Sequence, residues 1–330
     1  MRHVTHETLT VLSASVIALA VAMWAASNQG AAHLLSAGTS GVADTQQPRR
    51  STPAHRRPPA PKVPRAVPFR DVKGRGLLVK AWVNSKGPFT FAVDTGAGAT
   101  VLSQRVATEA GVEAKRGRTG RIAGLSGVSV STEEGVVQTL ALGEAENYLP
   151  AREPVIITTG LPAEVDGVVD PSESYAPLGY IIDLPQRELS AFDPNAAPIR
   201  LETPPPDGAV VRWIRDSYSR RPFVLLADGR RALLDTGSNL GLAIRDRRPA
   251  TNHQEDSEQF RDVGGGLISA RHVKPTTVSV GSLTLQNIPT DLVSGAEVGA
   301  PVLLGLRALR PFRLKFDPLH RLIEIAPPPE

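Results

Sequence analysis

Short apolar runs separated by turn residues recur along most of this 330-residue chain. The run LLVKAWV at 77–83 turns through polar residues and returns as FTFAV at 89–93. A second run, FVLLA at 223–227, turns at an Asp-Gly pair and returns as RALL at 231–234. Runs of this length between turn residues predict β-hairpins. Because the chain also contains 29 Gly and 29 Pro, many turns and few long helices are expected, and the pattern predicts an all-β fold.

The same series of elements occurs twice. In each hairpin the second strand leads directly into Asp-Thr-Gly, beginning at Asp94 and at Asp235. Corresponding segments further along are LALG at 140–143 with VSVG at 278–281, and IIDLPQRELSAF at 181–192 with LKFDPLHRLIEI at 314–325. Repetition in this order predicts a duplicated unit. We place the first lobe at residues 69–200 and the second at 201–330.

A charge-free apolar segment, LTVLSASVIALAVAMWAA, occupies residues 9–26. Its length and composition predict an apolar helix that acts as an export signal or a membrane anchor. We assign residues 1–30 to this signal or anchor, and residues 31–68, rich in Pro and Arg, to a semi-extended linker. Cleavage and retention of the segment both stay open. Either predicts an extracytoplasmic protein, secreted or membrane-anchored, and retention would make the membrane a partner.

Charge and composition exclude several classes of function. The net charge of +4 arises from basic residues of the linker, so no nucleic-acid site is expected. The chain has no cysteine, which excludes disulfides, thiolate zinc sites and a Cys nucleophile. Its seven histidines show no pair at metal-ligand spacing, and no metal or other cofactor is predicted. The basic linker residues are Arg49, Arg50, Arg56, Arg57, Lys62 and Arg65.

The two Asp-Thr-Gly sites are the candidate catalytic residues. A single such tripeptide is more often an ordinary turn at the end of a strand, but two of them lie at equivalent places of a repeated unit. Hydrolysis of a peptide bond without a metal or a covalent nucleophile needs one group to accept a proton from water and another to donate one. Two neighbouring carboxyl groups that share one proton supply both. We therefore predict Asp94 and Asp235 as the catalytic pair.

The residues that follow each aspartate have predicted supporting roles. Gly96 and Gly237 let the backbone fold tightly beneath the carboxyl groups, and Thr95 and Thr236 are placed to form hydrogen bonds between the two lobes.

The next position differs between the two sites. Ser238 carries a hydroxyl that could donate to a carboxylate, whereas Ala97 has none. We therefore expect Asp235 to be the more readily ionised member of the pair.

The segments FAVDTGAGATVLS at 91–103 and ALLDTGSNLGLAI at 232–244, with VLLG at 302–305, resemble the active-site segments of retropepsin-like aspartic proteases. The resemblance covers about residues 69–327. It implies two β-barrel lobes related by a pseudo-two-fold axis, with the aspartates at the floor of a cleft between them. It also implies a peptide or protein substrate, and one chain with both lobes is expected to be a monomer.

The resemblance further implies flap hairpins above the cleft and a short helix after the first aspartate. The helix is predicted over residues 103–111, with Ser103 as N-cap and Gly111 past its end. The flaps are predicted at 120–130 and 261–271, although ordinary glycine-rich turns would have the same composition. The flap candidates are Gly124, Leu125, Gly127, Gly264, Gly265 and Gly266.

Two departures from the family pattern leave alternatives open. Asp170 stands in VDGVVD at 165–170 where the family has Gly, and residues 245–256 lack an apolar helical face and contain Pro249, so that helix is expected to be short or absent. One alternative is a non-catalytic peptide-binding module that keeps the fold. Another is a homodimer whose lobes pair between chains.

Overall fold

The computed structural model describes residues 22–23, 62–150, 152, 154–162, 164–214, 216, 219–247 and 257–328. These residues form mostly β-sheet with a few short helices, as the sequence predicted. We refer to residues 62–200 as the first half and residues 201–328 as the second half.

The strands that precede residue 200 are β1 Ala22–Met23, β2 Val67–Pro68, β3 Arg70–Val72, β4 Gly76–Val83, β5 Lys86–Val93, β6 Val101–Ser103, β7 Ala114–Ala123, β8 Ser129–Val136, β9 Leu140–Leu142, β10 Pro154–Thr158, β11 Gly167–Val169, β12 Gly179–Asp183 and β13 Glu188–Phe192. The later strands are β14 Ala209–Arg212, β15 Phe223–Leu225, β16 Arg231–Asp235, β17 Leu242–Arg245, β18 Ser257–Arg261, β19 Leu267–Val280, β20 Leu283–Ser294, β21 Val302–Gly305, β22 Arg313–Asp317 and β23 Leu322–Ala326. The helices are α1 Gln104–Glu109, α2 Pro171–Ser174 and α3 Leu306–Leu309.

Each half contributes one large sheet. The first sheet has ten strands in the order β1-β7-β8-β10-β6-β11-β5-β4-β3, with β9 paired to β4. The second sheet has seven strands in the order β15-β16-β21-β17-β20-β19-β18. In the first sheet β11 is parallel to β5 and antiparallel to β6, and β6 is parallel to β10. In the second, β21 is parallel to β16 and antiparallel to β17, and β17 is parallel to β20. The central strands therefore share one order and one set of directions.

A third sheet joins the halves. Its six strands run β14-β23-β22-β12-β13-β2. Within this sheet, the antiparallel pairing of β12 with β22 joins the first half to the second. Tyr180 on β12 stacks on Phe316 on β22, with ring centroids 4.5 Å apart. Trp213 meets the Phe316 ring edge-on at 5.9 Å. These buried rings supply apolar area and favourable ring geometry where the halves meet, and so they stabilise the association of the two halves.

Local sequence explains the elements nearest the site. The β4–β5 hairpin turns through Asn84 and Ser85, both with positive φ, which is the backbone of a tight two-residue hairpin turn. The side chain of Ser103 accepts the N–H of Val106 and so caps α1, and Gly111 follows the end of this helix with a φ of 62°. The helix predicted at 103–111 is therefore confirmed.

The N-terminal predictions are only partly covered by the described residues. The apolar segment at 9–26 lies outside them except for Ala22 and Met23, which form β1 rather than part of a helix. Among the described residues, no helix is long and apolar enough to span a bilayer. The linker boundary at residue 68 needs correction, because β2 pairs with β13 and Val67 is buried in the core. Most of the stretch at 245–256 is also outside the described residues, and its first residue ends β17.

Candidate active site

Asp94 and Asp235 lie at equivalent strand ends, one from each large sheet. Asp94 follows β5 and donates its backbone N–H to the carbonyl of Val169 on the parallel strand β11, at 3.0 Å. Asp235 ends β16 and lies beside Gly305 on the parallel strand β21. Both aspartates are fully buried. The structure thus brings the two predicted catalytic residues together within one chain.

Reciprocal hydrogen bonds between Thr95 and Thr236 hold the two loops together. The backbone N–H of each threonine donates to the hydroxyl oxygen of the other, at 3.1 Å in both directions. Each hydroxyl then donates to a carbonyl across the interface, Thr95 to Leu234 at 2.6 Å and Thr236 to Val93 at 3.0 Å. Four buried hydrogen bonds therefore fix the position of one aspartate relative to the other.

Gly96 and Gly237 allow the closest approach. Each donates its N–H to Oδ1 of the aspartate two residues before it, at 2.7 Å to Asp94 and 2.9 Å to Asp235. Each also faces the opposite carboxyl group. A Cβ at Gly96 would lie 2.7 Å from Asp235 Oδ1, and a Cβ at Gly237 would lie 2.3 Å from the carboxyl carbon of Asp94. No residue with a side chain fits at either position without displacing a carboxyl group.

The two carboxyl groups differ in their affinity for a proton. Burial, followed by the negative charge of Asp235, raises the pKa of Asp94 well above its usual range. Burial also raises the pKa of Asp235, to about 6, but hydrogen bonding from the Asp94 carboxyl and from the N–H of Gly237 opposes it. Apart from the opposing carboxyl, the Oδ2 atoms of both aspartates have no partner among the described residues. Two carboxyl groups in this arrangement titrate as a pair that can share one proton.

The structure gives the Ser238 hydroxyl a different contact from the predicted one to the Asp235 carboxylate. The hydroxyl oxygen of Ser238 accepts the N–H of Leu240 at 3.3 Å, and the group of Ser238 that lowers the pKa of Asp235 is its backbone N–H. Ala97 has the same backbone group. Charged neighbours make smaller contributions, since Arg221 lowers the pKa of Asp235 and Asp170 raises that of Asp94.

Asp170 occupies the position that corresponds to Gly305. It is fully buried, and its Oδ1 accepts the N–H of Ser172 at 2.8 Å, which makes it the N-cap of α2. Gly305 precedes α3 in the same way without a side-chain cap. The aspartate is therefore accommodated as a helix cap, and the strand pairing beside Asp94 is intact.

The two predicted flap segments are hairpin turns that meet at their tips. One turn joins β7 to β8 at 124–128, and the other joins β18 to β19 at 262–266. The carboxylate of Asp262 accepts the N–H of Ser126 from the opposite hairpin at 2.7 Å. It also accepts two N–H groups of its own turn, from Gly264 at 3.1 Å and Gly266 at 3.0 Å. Gly124 faces this carboxylate so closely that a Cβ there would lie 2.1 Å from its carbon.

Each turn also inserts an apolar side chain into the opposite half. Leu125, from the first half, packs in the cluster of the second sheet with Phe223 and Leu303. Val263, from the second half, packs in the cluster of the first sheet with Ala97 and Leu78. This exchange, together with the Asp262 contacts, closes the two hairpins against each other.

Sequence reasoning missed Asp262 and Arg221. An aspartate directly before Val-Gly-Gly-Gly is typical of a turn in which the aspartate side chain accepts backbone N–H groups. The role of Asp262 within its own turn could therefore be predicted from the sequence. Its bond to Ser126 joins residues 136 positions apart and gives no sequence signal. Arg221, paired with Asp216 at 2.5 Å, lies in an irregular segment without a motif. Within the described residues, no group of three or more His, Asp or Glu side chains is arranged to hold a metal ion.

Comparison with protein-family models gives a match in the first half of the chain. Residues 79–167 match the family model described as aspartyl protease. The matched range begins in β4, includes the loop with Asp94 and ends at the start of β11. A search of curated proteins finds no match.

Proposed function

Starting from the resemblance to retropepsin-like aspartic proteases, which the match at residues 79–167 confirms, we propose that this chain is an aspartic endopeptidase that uses Asp94 and Asp235 as its catalytic pair. The observation that carries the proposal is the reciprocal hydrogen bonding of Thr95 and Thr236. It joins two buried carboxyl groups, each at the end of a strand, into one site of the kind that general acid and base catalysis requires.

The unequal proton affinities assign the roles. Asp235, ionised, accepts a proton from a water molecule as the water oxygen bonds to the carbonyl carbon of the peptide. Asp94, protonated, donates its proton to the carbonyl oxygen, and a neutral tetrahedral intermediate results. Asp235 then donates its proton to the amide nitrogen while Asp94 takes one back from a hydroxyl of the intermediate. The carbon–nitrogen bond breaks, and the pair returns to its starting state with one proton.

The finer architecture belongs to the same proposal. The two halves would be duplicated lobes related by a pseudo-two-fold axis, a reading supported by the shared strand order of the two large sheets and by the equal places of Asp94 and Asp235. The hairpin turns at 124–128 and 262–266 would be flaps. Because both aspartates are buried, a peptide reaches the pair only after a covering segment moves, and we propose that the two hairpins separate to admit it and then close to exclude water.

Partner and location follow from the sequence. We propose a peptide or protein substrate, no nucleic-acid partner, and a monomer that builds its site from one chain. The apolar segment at 9–26 supports an extracytoplasmic place, with the protein secreted or held at the membrane.

A peptide-library cleavage assay on the purified full chain tests the function. We expect cleavage by the wild type and at least a hundredfold loss in both Asp94→Asn and Asp235→Asn, since neither amide can take the role of the acid or base. Asp183→Asn is the matched control, because Asp183 is a buried aspartate of the joining sheet whose Oδ1 accepts the N–H of Gln186. The proposal fails if the wild type cleaves nothing from acidic to neutral pH, or if both variants keep its activity.

A further inference from the structure

Asp170 is a third buried carboxyl group beside the pair. The residue before it, Val169, pairs with Val93 and accepts the backbone N–H of Asp94 at 3.0 Å. In the second sheet the corresponding neighbour of Asp235 is Gly305, which has no side chain. The site therefore has one carboxyl group more on the Asp94 side than on the Asp235 side.

Its role as a helix cap uses only half of the Asp170 carboxyl group. Oδ1 accepts the N–H of Ser172 at 2.8 Å, whereas Oδ2 is buried and has no hydrogen-bonding partner among the described residues. Asn or Ser caps a helix about as well as Asp. Capping by itself thus explains a polar residue at this position but not a buried acid with an unpartnered oxygen.

The charges around Asp170 are few and do not neutralise it. Glu173 on α2 repels its negative charge, and Arg220 attracts it more weakly. Arg220 is itself engaged with Glu173 at 3.5 Å. Other titratable groups nearby are the buried Tyr175, which follows α2, the buried Tyr180 on β12, and Asp94. The negative charge of an ionised Asp170 raises the pKa of Asp94.

We propose that Asp170 is a positioning residue for the catalytic pair: once it is ionised, its negative charge beside Asp94 opposes loss of the proton that Asp94 contributes, and the pair keeps its acid toward alkaline pH. This inference rests on the proposed function. It gives a function to the one side chain that stands where the second half has glycine.

The expected pH dependence follows from the ionisation of Asp170. Burial first, and then the charge of Glu173, raises its pKa to about 7. Below this pKa Asp170 is neutral. It therefore has little effect on the protonation of Asp235, whose pKa is about 6. Above its own pKa, the ionised Asp170 opposes loss of the proton from Asp94. Asp170 therefore extends activity toward alkaline pH and leaves the acidic limb unchanged.

The test compares the pH profile of kcat/KM for the full chain with Asp170→Asn and Asp170→Ser, two neutral residues that keep the cap. We expect the alkaline limb of both variants to move to lower pH by about one unit, the order of shift that a neighbouring charge produces. The acidic limb should stay in place. Asp183→Asn serves as the control for loss of a buried aspartate elsewhere and should move neither limb.

Unmoved alkaline limbs in a folded variant would show that Asp170 is a helix cap only. If one variant does not fold, the other decides. If the wild type has no peptidase activity, the proposed function fails separately, and carbon-13 NMR titration of the aspartate carboxyl groups takes the place of the rate profile. There we expect the highest titration midpoint of the pair to fall in Asp170→Asn, and an unchanged midpoint would overturn the inference.

Discussion

The loops around Asp94 and Asp235 have nearly the same backbone and different electrostatic surroundings. Each aspartate accepts the N–H of the glycine two residues later, and each loop gives and receives the same threonine hydrogen bonds. Outside the pair, however, the acid Asp170 raises the pKa of Asp94, whereas the base Arg221 lowers the pKa of Asp235. Matching backbone hydrogen bonds therefore fix where the carboxyl groups lie, while neighbours outside the motif shift the two pKa values in opposite directions.

The largest expected effect comes from filling the space between the loops. Gly237→Ala and Gly96→Ala should each lower kcat/KM by more than a hundredfold, because the new methyl group displaces a catalytic carboxyl group. Gly237→Ala should be the more severe of the two, since its Cβ would lie 2.3 Å from Asp94 whereas that of Gly96→Ala would lie 2.7 Å from Asp235. Peptide cleavage and urea unfolding measure both effects, with destabilisation of about 1–3 kcal/mol expected from overpacking.

Gly229→Ala is the matched control for these glycine variants. Gly229 has a φ of 83° in an exposed turn, and a Cβ there would meet no atom within 4 Å. It should lose stability through backbone strain and keep its activity. Near-normal cleavage by either loop variant would contradict the close approach of the two halves.

The next effect is on stability as a function of pH. Burial raises the pKa of both aspartates above the value of 3.8 that they have when unfolded, so the folded state binds more protons than the unfolded state. The free energy of unfolding should therefore be greatest near pH 4 and fall as the pH rises through the folded-state values. For Asp235, a pKa raised to about 6 corresponds to a loss on the order of 3 kcal/mol.

Urea unfolding at several pH values checks this dependence. The double variant Asp94→Asn with Asp235→Asn removes two of the three buried carboxyl groups with raised pKa values and keeps Asp170, so its stability should decline less between pH 4 and pH 7 than that of the wild type. An equal decline in the two proteins would mean that the pair does not carry the raised pKa values.

A smaller effect is expected at the hairpin tips, where the two halves also differ. Asp262 in the second half faces Gly124 in the first, so one carboxylate serves both turns. Asp262→Asn keeps an oxygen for Gly264 and Gly266 but turns an amide group toward the N–H of Ser126, which loses its acceptor. We expect a cost on the order of 1 kcal/mol, seen as faster hydrogen exchange at 124–128. Asp228→Asn, in the turn of the β15–β16 hairpin, should leave exchange there unchanged.

The smallest effect separates the two explanations of the asymmetry. Ser238→Ala gives the second loop the residue that the first loop has at Ala97. Because the Ser238 hydroxyl oxygen accepts the N–H of Leu240, and the backbone N–H of residue 238 is kept, the acidic limb of the pH profile should not move. A clear shift of that limb would restore the hydroxyl as the cause.

The features that could be predicted from the sequence are those that depend on residues close together along the chain. Paired strands ending in Asp-Thr-Gly, the turn at Asn84 and the cap at Ser103 all depend on neighbours within a few positions, and the structure has each of them. The role of Asp170 was also readable, because an aspartate before Pro171 is typical of a helix start. The family pattern, in which this position is glycine, points away from that role.

The remaining features depend on contacts between distant parts of the chain. The strand β2 has two residues, too few for any periodicity, and it forms because the edge of β13 is available to it. The bond from Ser126 to Asp262 and the charge of Arg221 near Asp235 likewise arise only when the halves are assembled. Patterns along the sequence do not carry this information.

The exchange of Leu125 and Val263 between the halves bears on how the protein folds. Each half completes an apolar cluster of the other, and the largest cluster contains residues of both, from Val67 to Ile325. Separation of the halves would expose these side chains to water at once. The two halves should therefore lose their structure in a single cooperative transition, and a chain cut between them should yield two fragments that gain their structure only when mixed.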